Sequence, residues 1–371
     1  MAIVFAENSE HGNAPNSTYL WDIVSGVPAI NSTNPIKGTY DIRVGRGSFF
    51  TDYMGVNSAG RLGTTTIVYL HFWYKLVTAP SAGNSERVCG IIATPGSGVL
   101  LLVVDEYARL VMGANFQLVI GQPVEVEFYA EVVPGTKTCH YAYWVNGTLV
   151  GAADSAFPFN ETAISSVIIG GESATSSKFN FDAYYDDIVV DTERRIGTGL
   201  TLETEVPNAD DATDDQWTAD DAGAVTYDHV NDIPLVATDY AVSARPTAAT
   251  QRQLWAFPAT AAAGTVIAVD SLIAAQYEAA GTVATTKHRV SAPAGTAINT
   301  SIATAAANAY FRTCRILDCD AAAWTKTTAD ALRVGGEATK DGSGNERAMR
   351  ITDVWKTVVY RDPPKDWAGI I

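Results

Sequence analysis

The chain carries the same phrase near the end of each of its halves. Ile169-Gly170-Gly171-Glu172 leads, after a polar loop, into Phe179-Asn-Phe-Asp-Ala-Tyr-Tyr-Asp-Asp-Ile-Val-Val-Asp191. Val334-Gly335-Gly336-Glu337 leads likewise into Ala348-Met-Arg-Ile-Thr-Asp-Val-Trp-Lys-Thr-Val-Val-Tyr360. The triplets lie 165 residues apart, which reads as two tandem copies of one β-rich domain, the second diverged. At 371 residues the chain exceeds what one core serves and fits two domains, which we divide as 1–199 and 200–371.

The period of the apolar residues is that of strands. Val68, Leu70, Phe72, Tyr74 and Leu76 alternate along residues 64–76, and Val124, Val126, Phe128 and Ala130 alternate with Glu125, Glu127, Tyr129 and Glu131, so each set takes one side of a sheet. Residues 98–105 and 108–113 read as a hairpin. Asn146-Gly147 between two β-rich runs fits the positive φ of a type I′ turn. In the second half, residues 253–257, 264–270 and 308–317 read as strands, and one short helix is predicted over Thr325–Arg333, capped by Thr327 or Thr328. Short strands at near-regular spacing, many Gly, Thr and Asn turns and few helical windows predict an all-β chain of two antiparallel sandwiches.

Charge narrows the partners. With 25 Lys and Arg against 41 Asp and Glu the formal charge is -16, which argues against nucleic acid and anionic membrane as partners, because both are held by clustered cations. No segment approaches the roughly 20 apolar residues of a membrane span, and the start of the chain lacks the cationic and apolar regions of a secretory signal, so the expectation is a protein made in the cytoplasm and not inserted in a membrane. Cys89, Cys139, Cys314 and Cys319 are too few and scattered for a disulfide framework. From Ile196 to Ala244 there is no Lys or Arg but eleven carboxylates, which marks the connection between domains and the start of the second.

Each group with chemical potential has a plainer reading beside it. Glu125, Glu127 and Glu131 share the parity of the paired acids that glycoside-cleaving sandwiches set on alternate residues of one strand, but the spacing lacks the Asp between two glutamates, so they read as solvated strand carboxylates. Asp182, Asp186, Asp187 and Asp191, or Asp210, Asp211, Asp214 and Asp215, offer the hard oxygens calcium prefers, but without the D-x-D-x-D-G order; exposure or backbone hydrogen bonding is the alternative. His11, His71, His140, His229 and His288 are dispersed, and Cys139 and His140 point to opposite strand faces. Trp144, beside the Asn-Gly turn, is the aromatic expected to be exposed for stacking on a sugar ring, with core packing as its alternative. No catalytic, cofactor-binding or metal-ligating residue is assigned, and no cofactor is expected.

Several phrases resemble a family. Phe5-Ala-Glu-Asn-Ser-Glu-His-Gly12, Trp21-Asp-Ile-Val-Ser-Gly-Val-Pro28, Ile36-Lys-Gly-Thr-Tyr-Asp-Ile-Arg-Val44, Tyr143-Trp-Val-Asn-Gly147 and Tyr184-Tyr-Asp-Asp-Ile188 look like the concanavalin A-like (laminin-G-type) jelly roll of tailed-bacteriophage virion proteins. Val206-Pro-Asn-Ala-Asp210, Trp217, Tyr227-Asp-His-Val-Asn-Asp-Ile-Pro234 and Ala322-Ala-Trp-Thr325 are similar to phage structural proteins carrying that module. The resemblance implies a non-enzymatic virion component, a capsid decoration or tail-associated subunit, that is homo-oligomeric and partnered by other virion proteins. The alternative it implies is a lectin-like tail protein for host surface glycans; glycan hydrolysis ranks below both. The second copy has Val354-Trp355 where the first has Tyr-Asp-Asp, which puts in question any Asp-dependent feature there.

Overall fold

The computed structural model describes residues 3–8, 10, 21–25, 28–44, 53–171, 181–219, 225–232, 238–243, 250–261, 264–277, 285–292, 297–302, 309–315, 317–339 and 348–361. His11, Gly12, Glu172, Asp220, Asp221, Pro234 and the side chain of Cys314 are among the positions discussed above that lie outside them. Two compact units form, the first reaching Leu200 and the second beginning at Thr201.

In the first unit the alternation predicted for residues 64–76 makes the central strand of a sheet. Sheet A runs β13 (Thr148–Glu161), β12 (Thr136–Val145), β11 (Pro123–Val132), β6 (Ile67–Thr78), β15 (Asp182–Asp191), β4 (Asp41–Val44) and β3 (Ala29–Asn31), with β1 (Ile3–Glu7) also on β15. Sheet B runs β10 (Ala114–Gln117), β9 (Arg109–Met112), β8 (Val99–Asp105), β7 (Ser85–Thr94), β14 (Ala163–Gly170), β5 (Tyr53–Asn57) and β2 (Ile23–Ser25). Their inner faces close over Leu70, Phe72, Tyr74, Val126, Phe128, Tyr143, Leu102, Val104 and Ile91, all 0% exposed. The rings of Phe72, Tyr74 and Tyr185 meet at centroid distances of 5.2 to 6.4 Å, and the buried Tyr185 hydroxyl donates to the Val88 carbonyl at 3.1 Å, so no polar atom of that ring is stranded. The Asn146-Gly147 turn has φ of +48° and +78°, as type I′ requires.

The second unit repeats this order on a smaller scale. Sheet C runs β18 (Thr218–Ala219), β19 (Ala241–Val242), β26 (Met349–Arg361), β21 (Thr265–Tyr277) and β24 (Ala309–Arg315), with β16 (Leu200–Glu205) on β26. Sheet D runs β17 (Ala209–Asp215), β20 (Gln251–Ala256), β25 (Arg333–Thr339), β22 (Thr285–Ser291) and β23 (Ile298–Ile302). Between β6 and β4 lies β15, as β26 lies between β21 and β19; β14 lies between β5 and β7, as β25 lies between β20 and β22; β1 joins β15 as β16 joins β26. The repeated phrase is thus the same move in both units, a Gly-Gly strand central to one sheet followed by the last strand central to the other. Where the first unit continues outward through β12 and β13, and through β9 and β10, sheets C and D end, among the described residues, at β24 and β23.

Two expectations need revision. Thr325, not Thr327 or Thr328, caps the helix, α1 (Lys326–Asp330), in a capping box completed by Thr328; the helix is shorter than predicted because β25 begins at Arg333. The acidic run at 210–215, read as lying at the entry of the second domain, forms strand β17 of sheet D. Asp353 takes the place of Asp186: each lies at an irregularity of its unit's last strand, is at most 1% exposed, and accepts the next residue's amide, at 3.0 Å and 2.8 Å.

Candidate functional site

The outer face of sheet A gathers the polar residues that alternate with the core. β6 sends out Tyr69, His71 and Trp73; β11 sends out Glu125, Glu127, Tyr129 and Glu131, paired across the ladder as Trp73 with Glu125, His71 with Glu127 and Tyr69 with Tyr129. Glu125 and Glu127 leave the core, as their parity demands, yet they are 6% and 2% exposed, which corrects the reading of them as solvated. The reason is the segment that follows β15. Gly197 N–H donates to Glu127 Oε1 at 2.8 Å, Arg195 Nε to Glu127 Oε2 at 2.5 Å, and Gly199 N–H to Glu125 Oε1 at 2.8 Å. From beneath, His71 Nε2 reaches Glu125 Oε1 at 2.7 Å while its Nδ1 faces the Asp187 carbonyl at 3.2 Å. Burial alone would raise Glu125; the bond and charge of His71, with the Gly199 amide, outweigh it and hold the carboxyl below its usual range.

The aspartates considered for calcium are engaged by the chain itself, except Asp215, which is exposed. Arg43 grips Asp182 with two bonds of 2.8 and 2.6 Å, and Asp191 accepts the amides of Glu193 and Arg194. Lys37 donates its amide to Asp186 at 3.0 Å and its ammonium to Asp187 Oδ2 at 2.7 Å and the Leu200 carbonyl at 2.9 Å, lying 4.6 Å from the Trp73 ring. Burial and then the charge of Asp187 push the pKa of Asp186 upward. In the second unit Asp210 accepts from Thr226, Asp211 from the amides of Thr213 and Asp214, and Asp214 pairs with Arg289 at 3.3 Å. Among the described residues no group of three or more His, Cys, Asp or Glu side chains is placed to hold a metal.

A further row on this face crosses Tyr69, Tyr129, Ala142 and Ala152, one residue from each of β6, β11, β12 and β13. The two tyrosine rings stack at 4.9 Å and 29°, both half-buried, with Ala142 buried and Ala152 exposed beside them. Burial, then the charge of Glu131, raises the Tyr69 hydroxyl; burial, then the Tyr129 bond to Glu131, raises that of Tyr129, so both are neutral phenols. One flank holds Glu131 and the half-exposed pair His140 and Asp154, 2.6 Å apart. The other holds Trp144, which is half-buried rather than open because the Arg195 guanidinium lies 4.1 Å from its ring. Cys139 is buried with its neighbour His140 on the opposite side, as strand parity required. Sequence reasoning passed over His71, Arg195, Lys37 and the Tyr69–Tyr129 pair. Parity puts Tyr69 and His71 on one face, but only the strand register brings Tyr129 and the 192–200 segment to them.

No protein-family model and no curated protein sequence matches the chain. Among solved structures it is similar to the cellulose induced protein Cip1, at 17% identity and a TM-score of 0.40 over 53% of this chain and all of that one. It is also similar to the receptor binding domain of botulinum neurotoxin C/D mosaic serotype, at 11% identity and a TM-score of 0.36 over 52% of this chain and 48% of that one. A third is domain 4 of AbnA, a GH43 extracellular arabinanase from Geobacillus stearothermophilus, in complex with arabinotriose, at 12% identity and a TM-score of 0.33 over 51% and 91%. These likenesses concern the fold. The class that the strands define is a tandem pair of antiparallel, jelly-roll-like β-sandwiches.

Proposed function

We propose that the chain works by binding rather than by turnover, as a non-enzymatic component of a phage particle whose first unit holds host surface saccharide on the outer face of sheet A. One observation carries the reading. The carboxylates best placed for acid and base chemistry, Glu125 and Glu127, are consumed by Arg195, His71 and the amides of Gly197 and Gly199, while the stacked Tyr69 and Tyr129 keep part of their surface exposed between polar flanks. Aromatic carbon beside hydroxyl and carboxylate groups suits a sugar, which is apolar on its ring faces and polar at its rim. Dense polyanions are disfavoured by the charge of -16.

The virion setting follows from the sequence resemblance, and with it the expectations of homo-oligomerisation and of capsid or tail partners. Two experiments test the halves separately. Saturation-transfer NMR on the full chain with a panel of neutral and acidic oligosaccharides should show contact that Tyr129→Ala abolishes; an array with no binder sinks the saccharide reading. Peptide mass spectrometry of purified particles should find the chain in stoichiometric amount, many copies indicating the head and few the tail; its absence from particles ends the virion reading.

A further inference from the structure

The outer face of sheet D carries a second polar assembly, of opposite sign. Arg252, Glu337 and Lys287 form one row across β20, β25 and β22; Leu254, Gly335 and Arg289 form the next. Three cations converge on the single carboxylate of Glu337: Lys287 Nζ at 2.7 Å from Oε1, Arg252 Nε at 3.0 Å from Oε2 and Arg289 Nη1 at 3.4 Å from Oε2. Burial would raise Glu337, but Lys287 and Arg252 outweigh it and hold the carboxyl below its usual range. Asp214, from β17, pairs with the far end of Arg289 at 3.3 Å, and Asp211 with Arg333 at 3.3 Å, so the acidic residues of β17 reach over part of this face. The Arg252 and Lys287 side chains remain 41% and 28% exposed.

The donors are not used up. Among the described residues the terminal nitrogens of Arg252 have no protein acceptor, Lys287 spends one of its three N–H groups, and the buried Nε of Arg289, a residue 8% exposed, has no partner. Arg252 and Lys287 flank the same carboxylate, each within 3.0 Å of it, and each keeps donors with no protein acceptor among the described residues. In a chain of charge -16 a place where cations outnumber carboxylates is distinctive, and its surplus is small. That combination favours one isolated anionic group over a closely spaced row of phosphates.

We propose that the Arg252–Glu337–Lys287 row of the second unit binds an isolated carboxylate, of the kind a uronic acid residue carries. The site stands independently of the tyrosine face of sheet A and goes beyond it in naming an acidic ligand. Two-dimensional amide NMR of the full chain, titrated with trigalacturonate, tests it. The expected result is movement of β20, β25 and β22 amides, weakened about tenfold by Arg252→Gln and by Lys287→Gln, diminished by salt, and untouched by Tyr129→Ala. Either variant leaves the other cation on Glu337, so the strand pairing persists. Tighter binding of trigalacturonate than of acetate assigns a sugar chain as the source, and equal binding assigns a small acid; both sustain the carboxylate. Unmoved amides, equal movement with neutral maltotriose, or full binding in both variants would overturn the proposal and leave only a cross-strand salt-bridge network.

Discussion

Glu127 is held by Arg195 and the Gly197 amide, and its burial gives that hold a cost when broken. Replacing the charge while keeping the shape, Glu127→Gln, leaves Arg195 over Trp144 without its anion; the expected loss is about 1–3 kcal/mol in urea unfolding, with no loss of any sugar-cleaving activity over background. Two other buried groups set pH dependence in opposite senses. Burial lowers His288 from 6.5 to about 3, so the unfolded chain takes up a proton the folded one refuses, and stability falls as pH drops from about 6.5 toward 3, by at most about 1.4 kcal/mol per unit. Burial raises Glu86 from 4.5 to about 7 against the opposing charge of Arg87, so its favourable contribution is complete below about 4.5 and is lost as pH climbs through 7. Melting curves across this range should flatten on the acid side in His288→Gln and rise on the neutral side in Glu86→Gln; unchanged profiles in both would refute the assignment.

At the scale of elements the repeated glycines make the sharper test. A Cβ on Gly335 would lie 2.0 Å from the Gln253 carbonyl oxygen, a backbone atom that cannot yield, whereas one on Gly336 would meet side-chain ends, Ile351 Cδ1 at 2.7 Å and Trp217 Cη2 at 2.9 Å. Gly335→Ala should therefore destabilise more than Gly336→Ala, the latter by about 1–3 kcal/mol, in denaturant titrations of the full chain. The same strands show what the amino-acid order made legible. Period-two alternation located β6 and β11, because each buries one face; two adjacent apolar runs located the β8–β9 hairpin, the Asn-Gly turn located the β12–β13 hairpin, and the Gly-Gly-Glu phrase located the strand pair β25–β26 as a copy of β14–β15. Parity also told which way Glu125 and Glu127 point. It did not tell what covers them, since burial on an outer face depends on a segment some 70 positions along the chain, whose contacts no local pattern encodes. Nor did the count of acids at 210–215 disclose that Arg289 and Arg333, from strands far along the chain, answer Asp214 and Asp211.

For the molecule as a whole, two sandwiches of one topology carry outer faces of different character. The first extends its sheets by β9, β10, β12 and β13, and the row that begins at Tyr69 and Tyr129 runs on across β12 and β13, strands without a counterpart among the described residues of the second unit. The second instead sets cations on sheet D. The two faces thus differ over one shared strand order. The most direct measurement follows a saccharide ligand of the full chain by proton NMR over a day, reading contact and cleavage in one sample. The account predicts saturation transfer that depends on Tyr129 and a ligand spectrum that does not change; new reducing-end signals that vanish in Glu127→Gln would contradict it.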